Sequence, residues 1–257
     1  MTANILAIGD VAGPAGMEML ENKLRGIIKQ YDISFTVVNG ENADGLGVTR
    51  KQAEAIRCCG ADVITLGNHT WGKKELRKYL DDCPTILRPS NFAPNAPGRG
   101  WEIYQTGFGN VCVINIAGRV GMADHSENPF FEVDKILKAN TAGIILIDFH
   151  AEATSEKLAM AHYLDGRVTA LWGTHTHVQT SDACVFPKGM GYITDLGMTG
   201  GAFSVIGMKP DQPVSRFLGN PPGQLEPAEA PAKIEGAIFG VDAGSGKCVH
   251  AEAIRIM

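Results

Sequence analysis

The sequence has little of several features that would place it in a specialised class. It contains no apolar run of about 18 residues, so no membrane-spanning helix is predicted. Its six cysteines form no Cys-x-x-Cys pair, which is typical of reduced thiols. Lys and Arg total 23 against 28 Asp and Glu, which argues against coating of duplex nucleic acid or of an anionic membrane. The N-terminal region lacks the pattern of a secretory signal, so we expect a cytoplasmic protein.

The composition is otherwise that of an ordinary globular protein. Hydrophobic residues make up 44 % of the chain and charged residues 20 %. At ~150 residues per domain, the 257 residues allow one large domain or two small ones. No convincing linker divides the chain, so a single domain over residues 1–257 is predicted.

Short apolar runs alternate with stretches of helical spacing over the first two thirds of the chain, which predicts an α/β fold with buried strands. The predicted strands are Ile5–Ile8, Phe35–Val38, Val63–Leu66, Val111–Ile116, Ile144–Ile147 and Val168–Trp172. The predicted helices are Gly16–Tyr31, Arg50–Cys59, Lys73–Leu80, Phe130–Ala139 and Thr154–Tyr163.

The second half of the chain adds three predicted hairpins, so part of the architecture is expected to be antiparallel. They pair Trp101–Thr106 with Val111–Ile116, Cys184–Phe186 with Tyr192–Thr194, and Lys233–Val241 with Lys247–Ile256. The segment Met198–Gln224 is rich in Gly and Pro and predicts a long loop with one short element.

Two glycine patterns suggest phosphate binding but do not fit the known motifs. Gly244-Ser245-Gly246-Lys247 lacks the spacing of a phosphate loop and lies between two predicted strands, as a hairpin turn does. Gly9, Gly13 and Gly16 do not have the spacing of a dinucleotide fingerprint. We therefore predict no nucleotide-binding loop of either kind.

Polar side chains that can bind metals follow five predicted strands. In α/β sheets, ligands bind at the carboxyl ends of strands, so these side chains can converge on one crevice. Each alone has a structural explanation as a cap or turn residue, but packing gives no reason for their joint placement. They are Asp10, Glu41, Asn42, Asn68, His69, His150, His175 and His177. His125, His162 and His250 lack this context and are assigned to surface or structural roles.

The donor types narrow the metal class. Imidazole mixed with carboxylate and amide oxygen suits Fe, Mn or Zn, and no cysteine belongs to the set. In an extended segment, His175 and His177 lie on one face, so each could bind a different ion of a pair.

The motifs resemble those of calcineurin-like metallophosphoesterases, and the bacterial YmdB-type family within that superfamily more closely. The resemblance covers nearly the whole chain. Its motifs are Gly9-Asp10-Val-Ala-Gly13, Asn39-Gly40-Glu41-Asn42-Ala43, Gly67-Asn68-His69, Arg88-Pro89-x-Asn91, His150-Ala-Glu152 and Gly173-Thr-His175-Thr-His177. It implies a four-layer α/β/β/α sandwich of two mixed sheets flanked by helices. It also implies a phosphodiesterase that uses two metal ions, Fe or Mn, on cyclic nucleotides, with 2′,3′-cyclic forms preferred.

The resemblance also implies a role for each residue. Asp10, Asn42 and His177 resemble ligands of a first metal, Asn68, His150 and His175 resemble ligands of a second, and Glu41 resembles the bridge. The wider superfamily has His where this chain has Ala12, and Asp where it has Glu41. Both departures are shared with the YmdB-type family.

The expected mechanism is in-line attack by a hydroxide between the two ions, with His69 protonating the leaving ribose oxygen. Arg88 is a candidate for holding the phosphate, although an ion pair in a loop is an equal alternative. Trp71 and Phe92 are more readily assigned to core packing than to base stacking. Glu152 and Glu156 are candidates for orienting His150, and capping of the helix Thr154–Tyr163 is the alternative role.

Two other functions stay open on the sequence. A (β/α)₈ amidohydrolase would have its His-x-His pair on the first strand, whereas here that pair comes late. A metal-loaded regulatory or scaffold protein would keep the site without turnover. The expected partner is a small phosphodiester or cyclic nucleotide, and self-association into a homo-oligomer stays open.

Overall fold

The computed structural model describes residues 1–123 and 126–257; His125 therefore lies outside the described residues. The strands are β1 (Thr2–Ile8), β2 (Asp10–Val11), β3 (Ile33–Asn39), β4 (Val63–Thr65), β5 (Ile86–Leu87), β6 (Trp101–Thr106), β7 (Gly109–Ala117), β8 (Ile144–His150), β9 (Ala170–Thr174), β10 (Cys184–Val185), β11 (Gly191–Ile193), β12 (Met198–Gly201), β13 (Ala232–Asp242) and β14 (Lys247–Ile256). The helices are α1 (Gly13–Gln30), α2 (Arg50–Cys58), α3 (Lys74–Asp82), α4 (Pro129–Ala139), α5 (Thr154–Leu164) and α6 (Asp211–Phe217).

The strands form two mixed sheets. The first has the order β2-β12-β13-β1-β3-β4-β5, with β14 also paired to β13, and the second has the order β10-β11-β9-β8-β7-β6. Strands β1, β3, β4 and β5 are parallel, as are β7, β8, β9 and β11, and the pairs that β13 makes with β1, β12 and β14 are antiparallel. The three predicted hairpins are confirmed as β6–β7, β10–β11 and β13–β14.

The two sheets pack face to face and carry helices on their outer faces. In β1, Ile5 and Ala7 enter the core between the sheets, whereas Leu6 and Ile8 face the layer of α1–α3. This alternation is the two-residue period of a strand that is buried on both sides. Helices α4 and α5 cover the second sheet. The predicted four-layer α/β/β/α sandwich is therefore confirmed.

The segment after β11 departs from the sequence prediction. It holds two elements rather than one, because β12 pairs with β2 and β13 before α6 begins. The sequence Met-Thr-Gly-Gly has no strand pattern, and its pairing comes from the surrounding chain. Gly16 of α1 permits this, since a Cβ there would come within 2.2 Å of the Thr199 carbonyl oxygen.

The parallel strands bring their carboxyl ends to one edge of the sandwich. Asp10, Glu41, Asn68, His150 and His175 all lie at or just after the ends of such strands. Of the helices in the described residues, none has the length and apolar character needed to cross a membrane.

Candidate metal centre

The structure brings all the predicted metal ligands, together with His69, to one site. Glu41, which has no exposed surface, lies at its middle. Its Oε2 is 3.3 Å from His150 Nε2 and accepts the His69 backbone N–H at 3.2 Å. Its Oε1 accepts from Asn42 Nδ2 at 3.1 Å and is 3.2 Å from His69 Nδ1. A carboxylate with groups on both oxygens is in a position to serve two ions.

Asp10 lies beside Glu41, and the two oxygens of its carboxylate have different surroundings. Its Oδ2 accepts the His175 backbone N–H at 3.2 Å. Its Oδ1 is buried and has no hydrogen-bond partner among the described residues, and His177 Nε2 lies 3.8 Å away. An unpaired buried carboxylate oxygen is costly, and a cation at this point would relieve that cost.

His150 is held by a hydrogen-bonded chain that fixes its protonated nitrogen. Thr174 Oγ1 donates to Asp148 Oδ1 at 2.7 Å, so it accepts from His150 Nδ1 at 2.9 Å. Asp148 also accepts from Thr65 and Asn39, which lie on strands of the other sheet. With Nδ1 as donor, the Nε2 lone pair of neutral His150 points into the site.

His175 and His177 lie on a turn with left-handed backbone at both residues, φ 99° and 64°. The buried carboxylate of Asp195 stabilises this turn from the side of the core. It accepts from the Thr176 hydroxyl at 2.7 Å and from buried Lys157 at 2.7 Å. The sequence pattern had suggested that the two imidazoles lie on one face of an extended strand. They do not, because the backbone is not extended here.

The two imidazoles of the turn have different supports. His175 Nε2 is 3.2 Å from Glu152 Oε2, and its Nδ1 is 3.1 Å from His150 Nε2. His177 Nδ1 donates to the Ile206 carbonyl oxygen at 3.0 Å, which leaves Nε2 facing Asn42 and Asp10. Glu152 therefore contacts His175 rather than His150, and Glu156 instead accepts from the backbone of Arg119 and Val120.

The donor atoms at the centre of the site fit a bound cation. Donor atoms of Glu41, His150 and His175 all lie within 4.8 Å of one another. The lone pairs of His150 Nε2 and His175 Nδ1 face each other, an arrangement that needs a cation or a proton. Burial lowers the pKa of His150, but Glu41 and Asp10 outweigh it and raise that pKa to about 9. Burial and His150 lower the pKa of His175 to about 3. In the absence of a cation, a proton on His150 therefore meets this need.

The two carboxyl groups respond differently to the same burial. Burial raises the pKa of Asp10 to about 6, against the opposing charges of His177 and His150. Burial would also raise the pKa of Glu41, but His150 and His69 outweigh it and hold that pKa well below its usual value. Glu41 is thus the fixed negative charge of the site.

Asn68 and Asn42 reach the site in different ways. The Oδ1 of Asn68 lies 2.9 Å from His150 Nε2, so an acceptor oxygen lies beside the nitrogen that is predicted to bind the second ion. Asn42 turns its Nδ2 toward His177 and its Oδ1 toward His69 Nδ1, at 3.0 and 2.8 Å. An amide rotated by 180° would present Oδ1 to a cation instead.

The hydrogen-bond partners of Arg88 lie in its own loop and not among the residues of the metal centre. Its buried guanidinium donates to backbone carbonyl oxygens of its own loop, those of Pro89, Ser90, Ala96 and Pro97. These bonds give it a structural role, and its predicted part in substrate binding remains a prediction. Trp71 and Phe92 pack on each other with ring centroids 6.3 Å apart, in agreement with their assignment to packing.

The other two described histidines lie outside the cluster. His162 packs against Phe186 with centroids 5.2 Å apart, and His250 is exposed beside Glu252. The sequence did not single out Asp148, Thr174, Asp195, Lys157 or Ile206 as supporting residues. Asp148 and Lys157 carried a signal, since Asp148 is a charged residue in an apolar strand and Lys157 lies on the face of α5 that carries Met160, Ala161 and Leu164.

A cleft of about 380 Å³ opens beside the ligands. This volume lies within the ~300–1,000 Å³ of small-molecule sites. Its lining includes a group of residues from the site, Glu41, Asn42, His69, His175 and His177. His69 keeps 31 % of its side chain exposed, so it can meet a molecule bound there.

Two packed sheets, outer helices and a cluster of carboxylate, amide and imidazole groups at one edge define a metallophosphoesterase-type sandwich. The family model for YmdB-like proteins matches residues 6–254, and the chain belongs to that family.

Individual relatives agree over the full length. The chain is 42 % identical over 255 residues to a 2′,3′-cyclic-nucleotide 2′-phosphodiesterase of Bacillus subtilis strain 168, covering 98 % of this chain and 96 % of that protein. A crystal structure of a phosphatase from Mycoplasma pneumoniae has TM-score 0.94 and 34 % identity, covering 100 % of this chain and 94 % of that one. A crystal structure of a protein from Thermus thermophilus has TM-score 0.91 and 37 % identity, with 98 % of each chain covered.

Proposed function

We propose that this protein is a phosphodiesterase that hydrolyses 2′,3′-cyclic nucleotides to 3′-nucleotides with two bound metal ions. The observation that carries the proposal is the convergence of Asp10, Glu41 and the imidazoles of His150, His175 and His177 at one site beside the cleft. The name of the Bacillus subtilis relative supports the substrate class and the bond that is cleaved.

Asp10, Asn42 and His177 would hold one ion, Asn68, His150 and His175 the other, and Glu41 both. We propose iron, with manganese as the alternative, since the donors are nitrogen and oxygen without thiolate. Bound ions would supply positive charge for the phosphoryl oxygens and acidify a water molecule.

His69 is the proposed general acid. Its backbone N–H donates to Glu41 Oε2 and its ring Nδ1 lies 3.2 Å from Glu41 Oε1, so Glu41 positions the ring at the site. From the cleft it can protonate the ribose O2′ as the bond to phosphorus breaks, which prevents an alkoxide from leaving.

The test is product analysis with the metal-loaded protein and 2′,3′-cyclic AMP. We expect 3′-AMP, identified by chromatography against 2′-AMP and 3′-AMP standards, and two ions per chain by elemental analysis. Release of 2′-AMP would contradict the proposed bond cleavage. A fully loaded protein that gives neither product would contradict the enzymatic function.

We also propose that the protein works in the cytoplasm. Its six cysteines are all free thiols in the structure, which suits a reducing compartment. Fractionation of the native cells followed by immunodetection tests this location, and recovery in the extracellular fraction would contradict it.

A further inference from the structure

The cleft is lined by two chemically different groups of side chains. Besides the metal ligands and His69, it is lined by a group that we call the aliphatic wall: Leu46, Ile206, Met208, Leu225 and Pro227. The charged side chains and imidazoles of the lining belong to the metal centre or, like Glu152, contact it, and no Phe, Tyr or Trp lines the cleft among the described residues. A molecule held at the ligands by a phosphoryl group would therefore extend over apolar surface.

Ile206 lies in this wall on a strained backbone. Val205 and Met208 exchange backbone hydrogen bonds of 2.9 and 3.0 Å, so Ile206 and Gly207 form the two-residue loop of a tight hairpin. Both have positive φ, 46° and 98°. This is the pattern of a type I′ turn, in which Asn-Gly is strongly preferred. A β-branched residue at such a φ is an outlier that points to a function.

The turn connects the wall to the metal centre. The Ile206 carbonyl oxygen accepts from His177 Nδ1 at 3.0 Å. Ile206 itself is 55 % exposed. The carbonyl would be available from any residue with this backbone, Asn included. The hydrogen bond to His177 therefore explains the turn but not the isoleucine, and the apolar side chain needs a reason of its own.

We propose that the aliphatic wall binds the face of the nucleobase, with Ile206 as its central contact. This inference rests on the proposed function. The face of a base is flat and apolar, so aliphatic carbons can cover it. Its hydrogen-bonding edge would find no side-chain partner on the wall, so all four bases are accommodated with similar affinity. The wall thus distinguishes a nucleotide from a bare sugar phosphate, but not one base from another.

The experiment compares substrates with and without a base. The metal-loaded protein is assayed with the four 2′,3′-cyclic nucleotides and with 1-O-methylribose 2′,3′-cyclic phosphate. We expect kcat/KM values for the nucleotides that lie close together and exceed the base-free value. In Ile206→Asn, which suits the turn, we expect the ratio of nucleotide to base-free kcat/KM to fall about 10-fold.

The matched control is Val249→Asn, because Val249 is similarly exposed, at 59 %, but does not line the cleft. We expect its substrate ratio to equal that of the wild type. Metal content and thermal unfolding of both variants are measured in parallel, and Met208→Ala provides a second test if Ile206→Asn is unstable.

An unchanged ratio in both wall variants, or a wild type that hydrolyses the base-free compound as well as the nucleotides, would overturn the inference. Strong preference for one base would overturn it too. If the wild type hydrolysed none of the five substrates, the proposed function would fail instead, and the two failures are therefore distinct.

Discussion

The two predicted ion positions are built in different ways, although they share Glu41. At the second position, His150 is fully buried and is anchored through Thr174 to Asp148, which is bonded to strands of both sheets. At the first position, His177 depends on a backbone carbonyl in the exposed Ile206 turn, and Asn42 presents its amide nitrogen. The second position is therefore organised by the core, whereas the first depends on a surface loop and on the rotation of one amide.

The largest expected effect belongs to His69→Ala. Removing the proposed acid should lower kcat by about 10²–10⁴-fold, while both ions stay bound, because His69 is not one of the predicted ligands. Steady-state kinetics and elemental analysis of the same preparation test this. Wild-type turnover would remove His69 from the mechanism, and loss of metal would make it a ligand.

Asp10→Asn tests the first position directly. The substitution removes the negative charge of a carboxylate that has an unpaired buried oxygen, so we expect metal loading to be strongly weakened. The metal content after gel filtration is the measurement. Asp134→Asn, which removes an acidic residue from the surface pair with Arg167, is the control and should keep the wild-type content. Two tightly held ions in Asp10→Asn would contradict the assignment.

Asp148→Asn tests whether the core organises the second position. It replaces a group that accepts from Thr174, and the tautomer of His150 is then no longer fixed. We expect about 10–100-fold weaker binding of one ion per chain, measured by titration with a competing chelator. Equal weakening of both ions would show that the two positions are not independently supported.

Glu152→Gln gives the smallest expected effect. Glu152 contacts His175, but its side chain is 53 % exposed and solvent weakens the interaction. We expect less than about 10-fold loss of metal affinity, below the usual range for a residue that orients a ligand. Glu156→Gln is the matched control, since Glu156 accepts from backbone amides instead. A larger loss in Glu152→Gln than in Asp148→Asn would reverse the ranking of the two supports.

Several features were predictable because they depend on local sequence. The apolar runs before Asp10, Glu41 and Asn68 indicated parallel strands, and parallel strands bring their ends to one edge. The hairpins followed from paired apolar segments around short turns. Strand β12 was not predictable, since its pairing with β2 and β13 joins residues about 30 to 190 positions apart.

The sequence by itself determined the α/β class, the hairpins and the set of donor groups, because residue period and strand ends are local properties, whereas the four-layer arrangement was implied only by the family resemblance. Only the tertiary structure decided which nitrogen of His150 and His177 faces the site and which groups Arg88 binds. It also decided that Asp148 is linked through Thr174 to His150 and that Lys157 pairs with Asp195 under the histidine turn. Those features depend on hydrogen bonds between residues far apart in the chain. The hydrophobic periodicity of a sequence does not predict such long-range hydrogen bonds, because the bonded residues come together only when the layers of the fold pack.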